Sequence, residues 1–403
     1  MAASLHAQTA DTLFLQSFLQ VHKDSFGDLL DHPDKYEIQI VYTQIDQKGD
    51  KRIFTPYHYR VDPNKYFYPA STVKMPAAFM ALEKINQLNI PALDKHSTVF
   101  HQTAHPPQTA ARMDTTAEDS LPSIAQYIRK IFLISDNDAN NRLYEFLGQE
   151  YFNRSLHQKG YTDVRLVHRL GAEGVPFNAE TNRYTNPVSF YAGDRMVYHQ
   201  GEVHSQTPED LQLKGEKKGL GFQKGGQIVE QAFDFSQKNF IALTDLNDIL
   251  KAVLFPESVA PEKRFDLTEA DYHFLYKYLS MRPRESKSPQ YDKADGYVKF
   301  FIYGGEAEQM PPHIRIFNKV GWAYGYLTDV AYILDLKNEV EFMVSATIHV
   351  NDNQIFNDNQ YQYESIGLPF FIHLGKLLYE HELKRPRSQK SNLQRFQNIN
   401  YQD

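Results

Sequence analysis

The sequence contains no cysteine in its 403 residues. That absence excludes disulfide bonds, thiolate nucleophiles and metal sites with cysteine ligands, such as zinc and iron–sulfur centres. It leaves the cellular compartment open, because many secreted bacterial-type enzymes also lack cysteine.

An excess of positive charge and long apolar runs are absent as well. The formal net charge of -7 gives no basic footprint for nucleic-acid binding. No run of about 18 apolar residues occurs, so the sequence predicts no membrane-spanning helix. What remains is an ordinary globular composition, 41% hydrophobic and 23% charged, on a chain long enough for two lobes with sizeable cores.

The first residues have neither a basic start nor a long apolar core. Leu5-His6-Ala7 followed by Gln8 nevertheless resembles the end of a secretory signal peptide. The alternative is a disordered N-terminus, and we expect one or the other for residues 1–10.

The apolar periodicity changes along the chain. Alternation near both ends predicts strands, and spacings of three or four predict helices, including helical patterning from about 85 to 195. Residues 196–240, rich in Gly, Lys and Gln, are interpreted as an inserted surface flap. The predicted elements are a helix within 11–30, strands at 37–42 and 52–60, helices at 121–134, 243–254 and 267–279, strands at 314–320, 328–336 and 340–350, and a helix at 368–383.

Ser71 and Lys74, three residues apart, form the first chemical motif. Good helix formers follow at 77–84, and Pro76 disfavours a long helical run before it. A helix should therefore begin close to Ser71. This would place a hydroxyl nucleophile, an amine base and the positive end of a helix dipole close together. Alone the spacing is a weak signal, because it arises by chance in many chains.

His101 and His105 lie four residues apart, as metal ligands on a helix do. No carboxylate accompanies them on a periodic helix, and two prolines follow. We therefore interpret both as surface histidines rather than as a metal pair.

Two more motifs lie downstream. Ser135-Asp136-Asn137 stands where the apolar helix of 121–134 ends, a position that also suits a plain helix cap. Lys319-Val320-Gly321, followed by Trp322, lies on a predicted strand near the C-terminus. The trio serine-x-x-lysine, Ser-Asp-Asn and Lys-Thr-Gly is the signature of class A β-lactamases and penicillin-binding proteins. With its motifs in this order and these contexts, the chain resembles the serine β-lactamase-like hydrolase family over about residues 11–383, as a divergent, lengthened member.

The resemblance implies an α+β fold, in which an antiparallel sheet built from both chain ends is flanked by helices. A mostly helical lobe would be inserted between the two parts of the sheet, with the active site in the cleft between the lobes. The expected organisation is a sheet lobe from 11–70 and 311–383, a helical lobe at 71–310 that includes an insertion at about 196–310, and a polar, frayed tail at 384–403.

The same resemblance implies a role for each motif residue. Ser71 is similar to the acylated nucleophile, Lys74 to its base and Ser135 to the serine that relays a proton to the leaving nitrogen. Asn137 would bind the substrate amide, and Lys319 would supply positive charge for a substrate carboxylate. Ser71 and Trp322 would provide the backbone N–H groups of the oxyanion hole, and Gly321 would allow close approach of substrate.

Three features depart from the family pattern. Val320 stands where Thr or Ser is usual, which removes a hydroxyl that helps to bind the substrate carboxylate. The interval from Ser135 to Lys319 is longer than the family norm, in agreement with an insertion. The glutamate that activates the deacylating water has no clear counterpart; Glu173 and Glu180 are the two candidates, and neither lies in the full motif.

The resemblance thus implies a class A β-lactamase-like serine hydrolase that forms an acyl-enzyme with a β-lactam or related amide and needs no cofactor or metal. One alternative is a D-alanyl-D-alanine carboxypeptidase or penicillin-binding protein acting on cell-wall peptides. Another is a non-catalytic envelope protein that retains the cleft. The resemblance implies a periplasmic or secreted location and a small-molecule or peptide amide as the partner, without nucleic acid. The sequence leaves the oligomeric state open.

Overall fold

The structure is a computed structural model that describes residues 13–171, 178–206, 210–305 and 309–402. The predicted signal-peptide remnant and Glu173 lie outside these residues. No helix in the described ranges is long and apolar enough to span a membrane. The helices are α1 (13–21), α2 (Lys74–Leu88), α3 (Ile124–Ile134), α4 (Asn137–Leu147), α5 (Gln149–Gln158), α6 (Leu243–Leu254), α7 (Glu269–Ser280), α8 (Leu368–Lys384) and α9 (Gln394–Gln397).

Long strands occur near both ends of the chain, and short strands occur between them. The strands are β1 (Gln39–Lys48), β2 (Lys51–Tyr59), β3 (Thr98–His101), β4 (Val164–Arg165), β5 (Tyr184–Thr185), β6 (Val188–Ala192), β7 (Arg195–Gln200), β8 (Val203–His204), β9 (Lys217–Lys218), β10 (Gly221–Lys224), β11 (Gln227–Val229), β12 (Phe233–Asp234), β13 (Phe240–Ile241), β14 (Ile314–Ala323), β15 (Tyr326–Asp335), β16 (Val340–His349) and β17 (Ile355–Phe356).

The main sheet joins the two ends of the chain. Its strand order is β14-β15-β16-β1-β2, and every neighbouring pair is antiparallel. β1 pairs with β16 in a register that sets Gln39 opposite Thr347, so residues some three hundred positions apart in sequence become direct neighbours. This topology confirms the predicted α+β class with an antiparallel sheet built from both chain ends.

Both faces of this sheet are buried along β14, β15 and β16, because side chains alternate between two hydrophobic cores, whereas the edge strand β2 is half-exposed. On β14, Ile316 packs with α1 and α8 on one face, and Phe317 packs with α2, α6 and α7 on the other. All ten residues of β15 are buried for the same reason. A strand that is buried on both faces has a nearly continuous run of apolar residues instead of an alternation of apolar and polar residues.

Two features differ from the expectations. β3 and β6 lie inside the stretch predicted as helical, and they form a three-stranded sheet with β7, which begins at the end of that stretch. His101, interpreted as a surface residue, is completely buried on β3, and its imidazole lies 3.0 Å from the buried carboxylate of Glu145. The interpretation was wrong because a strand of four residues is too short for its alternation to stand out.

The segment after α8 also differs from the frayed tail that we expected. Leu393 and Phe396 are buried, and the Phe396 ring packs on the rings of Phe317 and Tyr332 in the main sheet, with centroids 5.0 and 5.3 Å away. Sparse apolar residues in a polar tail therefore anchor it to the core.

Candidate active site

Ser71 lies on a tight 3₁₀ turn, Ala70–Val73, that leads directly into α2. Thr72 closes the turn, because its hydroxyl donates to the Pro69 carbonyl at 2.7 Å. Ala70 has a φ of 48°, a left-handed conformation that is strained for a residue with a Cβ. Ser71 remains partly exposed while its neighbours are buried. The turn thus presents one hydroxyl beside the free N–H groups of a helix start.

Strand β14 packs directly against this turn at Gly321. A Cβ on Gly321 would lie 2.6 Å from the carbonyl oxygen of Pro69 and 2.7 Å from the backbone nitrogen of Ser71. Atoms that close would clash with backbone, which cannot move aside as a side chain could. The absence of a side chain at residue 321 is therefore what lets the strand touch the serine turn.

The backbone N–H of Trp322 points toward the free edge of the sheet. β14 is the edge strand, and the Ile316 carbonyl on its outer side accepts a hydrogen bond from Lys299 at 2.8 Å. Backbone groups on a strand change sides with a period of two, so those of residues 318, 320 and 322 face the same way. The Trp322 N–H therefore lies outside the hydrogen-bonded ladder of the sheet, one residue from the Gly321 position that meets the backbone nitrogen of Ser71.

Lys74 is the first residue of α2, and its side chain is completely buried. Its ammonium donates to the Asn137 side-chain oxygen at 2.6 Å, to the Ser135 carbonyl, and to the Ser135 hydroxyl at 3.3 Å. Burial lowers the pKa of Lys74 to about 7, against an opposing effect of the Asp136 carboxylate. A substantial fraction of this amine is therefore neutral near pH 7.

Ser135 ends α3 in a left-handed conformation, with φ 58° and ψ 40°. Its hydroxyl oxygen accepts from Lys319 at 2.8 Å as well as from Lys74. A hydroxyl has two acceptor sites and one proton. With both acceptor sites taken by ammonium groups, the proton of Ser135 is left to be donated elsewhere.

Lys319 is buried on β14, and its ammonium also donates to the Val320 carbonyl at 2.7 Å. Burial and the nearby charge of Lys74 hold the pKa of Lys319 well below its usual range. Two buried ammonium groups that share one hydroxyl repel each other, which favours the neutral form of at least one.

Asn137 opens α4, and Asp136 caps that helix by accepting from the Ala139 N–H at 2.7 Å. Gly171 packs on the Asn137 amide so tightly that a Cβ there would lie 1.9 Å from the amide nitrogen. The side chain of Asn137 is therefore held between Lys74 and the backbone at residue 171.

A buried polar network behind β14 was not predicted. Lys299 donates to Asn318 at 2.7 Å, Asn318 donates to Asp329 at 2.8 Å, and the other oxygen of Asp329 accepts from the Phe300 N–H at 3.1 Å. Burial lowers the pKa of Lys299 to about 7 and raises that of Asp329 to about 6. The polar residues Asn318 and Asp329 inside strongly apolar strands were the available signal.

Of the two candidate glutamates, only Glu180 belongs to the described residues. Its side chain is 56% exposed, and its carboxylate lies 3.2 Å from the guanidinium of Arg183 and 3.2 Å from the imidazole of His204. The Glu180 carboxylate therefore lies at the protein surface in contact with two other side chains.

The structure thus joins Lys74, Ser135, Asn137 and Lys319 in one hydrogen-bonded group and sets Gly321 against the turn that carries Ser71. It turns the Val320 side chain away, into the core on the opposite face of the sheet. Serine, amine and amide groups in this arrangement can support acyl transfer without a metal.

Comparison with known proteins agrees with the motif resemblance. Residues 26–214, just under half of the chain, match the model of the beta-lactamase enzyme family, so the resemblance is confirmed for that stretch. The stretch includes Ser71, Lys74, Ser135 and Asn137 but not β14. The match supports hydrolase activity in general. No curated protein matches the chain.

Similar solved structures include a beta-lactamase from Burkholderia ambifaria, with 14% identity, a TM-score of 0.45, and coverage of 87% of this chain and 99% of that one. A beta lactamase from Xanthomonas campestris pv. campestris has 12% identity, a TM-score of 0.45, and coverage of 85% and 91%. An ancestral class A beta-lactamase has 14% identity, a TM-score of 0.44, and coverage of 85% and 93%. At these scores the structures bear on neither substrate nor mechanism.

Proposed function

We propose that this chain, whose residues 26–214 match the beta-lactamase enzyme family, is a serine hydrolase that forms an acyl-enzyme on Ser71 with a β-lactam or related amide. The observation that supports this most is the convergence of Lys74 and Lys319 on the Ser135 hydroxyl. Burying two amines beside one oxygen costs desolvation free energy. Apolar residues at the same positions would stabilise the fold equally well. Perturbed pKa values of this kind cluster at catalytic sites.

The first step is attack on the amide carbonyl. Neutral Lys74 accepts the proton of the Ser71 hydroxyl while the serine oxygen bonds to the carbonyl carbon. The carbonyl electrons move onto oxygen, and the N–H groups of Ser71 and Trp322 donate to the developing oxyanion. Both donors are backbone groups held by packing between the turn and β14, so they need little reorganisation.

The second step expels the amine. The carbon–nitrogen bond breaks, and Ser135 donates its proton to the departing nitrogen. Ser135 then regains a proton from Lys74, which returns to its neutral form. Lys319 holds Ser135 in place throughout, and the Asn137 amide is positioned to bind the acyl part of the substrate.

Hydrolysis of the acyl-enzyme by water would complete the reaction. Glu180 is engaged with Arg183 and His204, and the apolar Val320 side chain points away from the serine turn. These observations favour slow hydrolysis of the acyl-enzyme. A penicillin-binding protein that transfers or releases cell-wall peptides is therefore the second candidate, and both candidates suit a periplasmic or secreted location.

A chromogenic β-lactam tests the proposal. We expect a rapid burst close to one product per protein, followed by a low steady rate. Ser71→Ala should abolish both phases while its far-UV circular dichroism stays unchanged. A burst that survives in Ser71→Ala would contradict the proposal, and a fast steady rate with no burst in the parent protein would contradict slow hydrolysis of the acyl-enzyme.

A further inference from the structure

A cavity of about 480 Å³ lies at the end of the main sheet, where β1 and β15 begin and β16 ends. One side is formed by the residues before β1 and the loop after β16, and the other by residues around β9, within the predicted surface flap. The cavity shares no residue with the hydrogen-bonded group around Ser135. A ligand bound there is therefore additional to the proposed substrate.

The two sides of the cavity are held together by an ion pair and by backbone hydrogen bonds. The Lys218 ammonium donates to both carboxylate oxygens of Glu37, at 2.7 and 2.9 Å, and the Tyr326 hydroxyl donates to the same carboxylate at 3.1 Å. The Leu220 N–H donates to the Gln354 carbonyl at 2.9 Å, and β10 pairs with β17. These contacts fix the flap to the end of the sheet, so the cavity is part of the fold.

Asn351 lines the cavity, and only 8% of its surface is exposed. Among the residues that the structure describes, none forms a hydrogen bond with its side-chain nitrogen or with its side-chain oxygen. Buried polar groups are nearly always paired, because an unpaired one costs free energy. The amide of Asn351 needs one acceptor and one donor side by side, and a second amide group offers both.

The charges around the cavity leave one lysine over. Three lysines and two carboxylates line it, and one lysine belongs to the ion pair that holds the flap. Lys35 pairs with Asp352 at 3.0 Å. In the described part of the chain no hydrogen bond or ion pair engages the Lys217 ammonium, which has only the longer-range attraction of Asp234 across the β9–β12 pair. Burial lowers the pKa of His349 to about 4, so its ring is neutral near pH 7 and the lining favours an anion.

We propose that this cavity is a binding site for a small N-acylated amino acid, whose amide pairs with Asn351 and whose carboxylate meets Lys217. The buried ring of Phe356 also lines the cavity and suits a small apolar side chain between these two groups. Binding at this site does not depend on acylation of Ser71.

Three probes test the proposal in a ligand-observed NMR titration. N-acetylalanine carries both groups, N-acetylalaninamide has no carboxylate, and propionate has no amide. We expect N-acetylalanine to bind with a Kd of about 1 mM and the other two to bind at least about tenfold more weakly. Asn351→Leu and Lys217→Met should each weaken the binding of N-acetylalanine about tenfold. Lys224→Met, which removes an exposed lysine of β10 outside the cavity lining, should not weaken it.

Thermal unfolding separates a role in binding from a role in the fold. Asn351→Leu should not lower the melting temperature, because its side chain makes no hydrogen bond within the described part of the fold. If that variant is destabilised, Lys217→Met decides, since Lys217 is exposed. Failure of N-acetylalanine to bind, equal binding of the three probes, or binding that is unchanged in Lys217→Met or in a stable Asn351→Leu would overturn the proposal.

Discussion

At the scale of single residues, the charge of the site depends on Lys74 and Lys319, whose amines both donate to the Ser135 hydroxyl. Burial and the nearby charge of Lys74 hold the pKa of Lys319 well below its usual range, and burial lowers the pKa of Lys74 to about 7. Because the two sites interact, the protons leave the pair in coupled steps. The pair can therefore hold one proton and still offer a neutral amine to Ser71 near pH 7.

The pH dependence of acylation follows from this charge. Lys74 accepts a proton only in its neutral form, so the acylation rate should rise as the pH increases through about 7 and level off above about 8. Stopped-flow measurement between pH 5.5 and 9 checks this. A rate that is flat across this range would assign the base elsewhere.

Removal of the Lys74 amine tests its role as the base more directly. Lys74→Met keeps the bulk of the side chain and should slow acylation by about 10²–10⁴-fold. Lys84→Met is the matched control, because Lys84 also lies on α2 and burial lowers its pKa to about 7 as well. Its ammonium instead donates to Gln200 at 2.8 Å and to the Phe146 carbonyl. Equal losses in both variants would show that the effect is structural.

At the scale of elements, the geometry of the candidate site depends on the contact between β14 and the turn that contains Ser71. Gly321→Ala would push a methyl group against the backbone of Pro69 and Ser71, 2.6 and 2.7 Å away. A displacement of about 1 Å can cost about 10²-fold in rate, so acylation should fall by that order while the protein stays folded. Gly201→Ala is the control, since nothing lies within 4 Å of its Cβ. Acylation of Gly321→Ala at the parent rate would show that the contact is not needed.

Some of the elements and contacts could be predicted from the sequence, and others could not. The long strands, α3 and α8 were predictable because each has an apolar pattern that extends over many consecutive residues. The contacts among Lys74, Ser135 and Lys319 could be expected only through the motif resemblance, since they join three distant segments. The network of Lys299, Asn318 and Asp329 was missed because polar residues on a strand are usually solvent-facing, and here both faces are buried.

At the scale of the whole molecule, the sheet depends on both chain ends and on the last segment. Phe396 is buried among aromatic rings of β14, β15, α7 and the end of α6. Phe396→Ala should lower the free energy of unfolding by about 3–5 kcal/mol, as measured by chemical denaturation. Leu383→Ala, at a position that is 42% exposed, should cost far less. A loss below about 1 kcal/mol for Phe396→Ala would mean that the tail is not part of the core.

The central claim is that Ser71 becomes acylated, and mass spectrometry tests it most directly. The folded protein is exposed to benzylpenicillin, its intact mass is measured, and the adduct is located by peptide mapping. The account predicts one added penicillin per chain, on the peptide that contains Ser71, and none in Ser71→Ala. An adduct at another residue, or no adduct with any of several β-lactams, would contradict it.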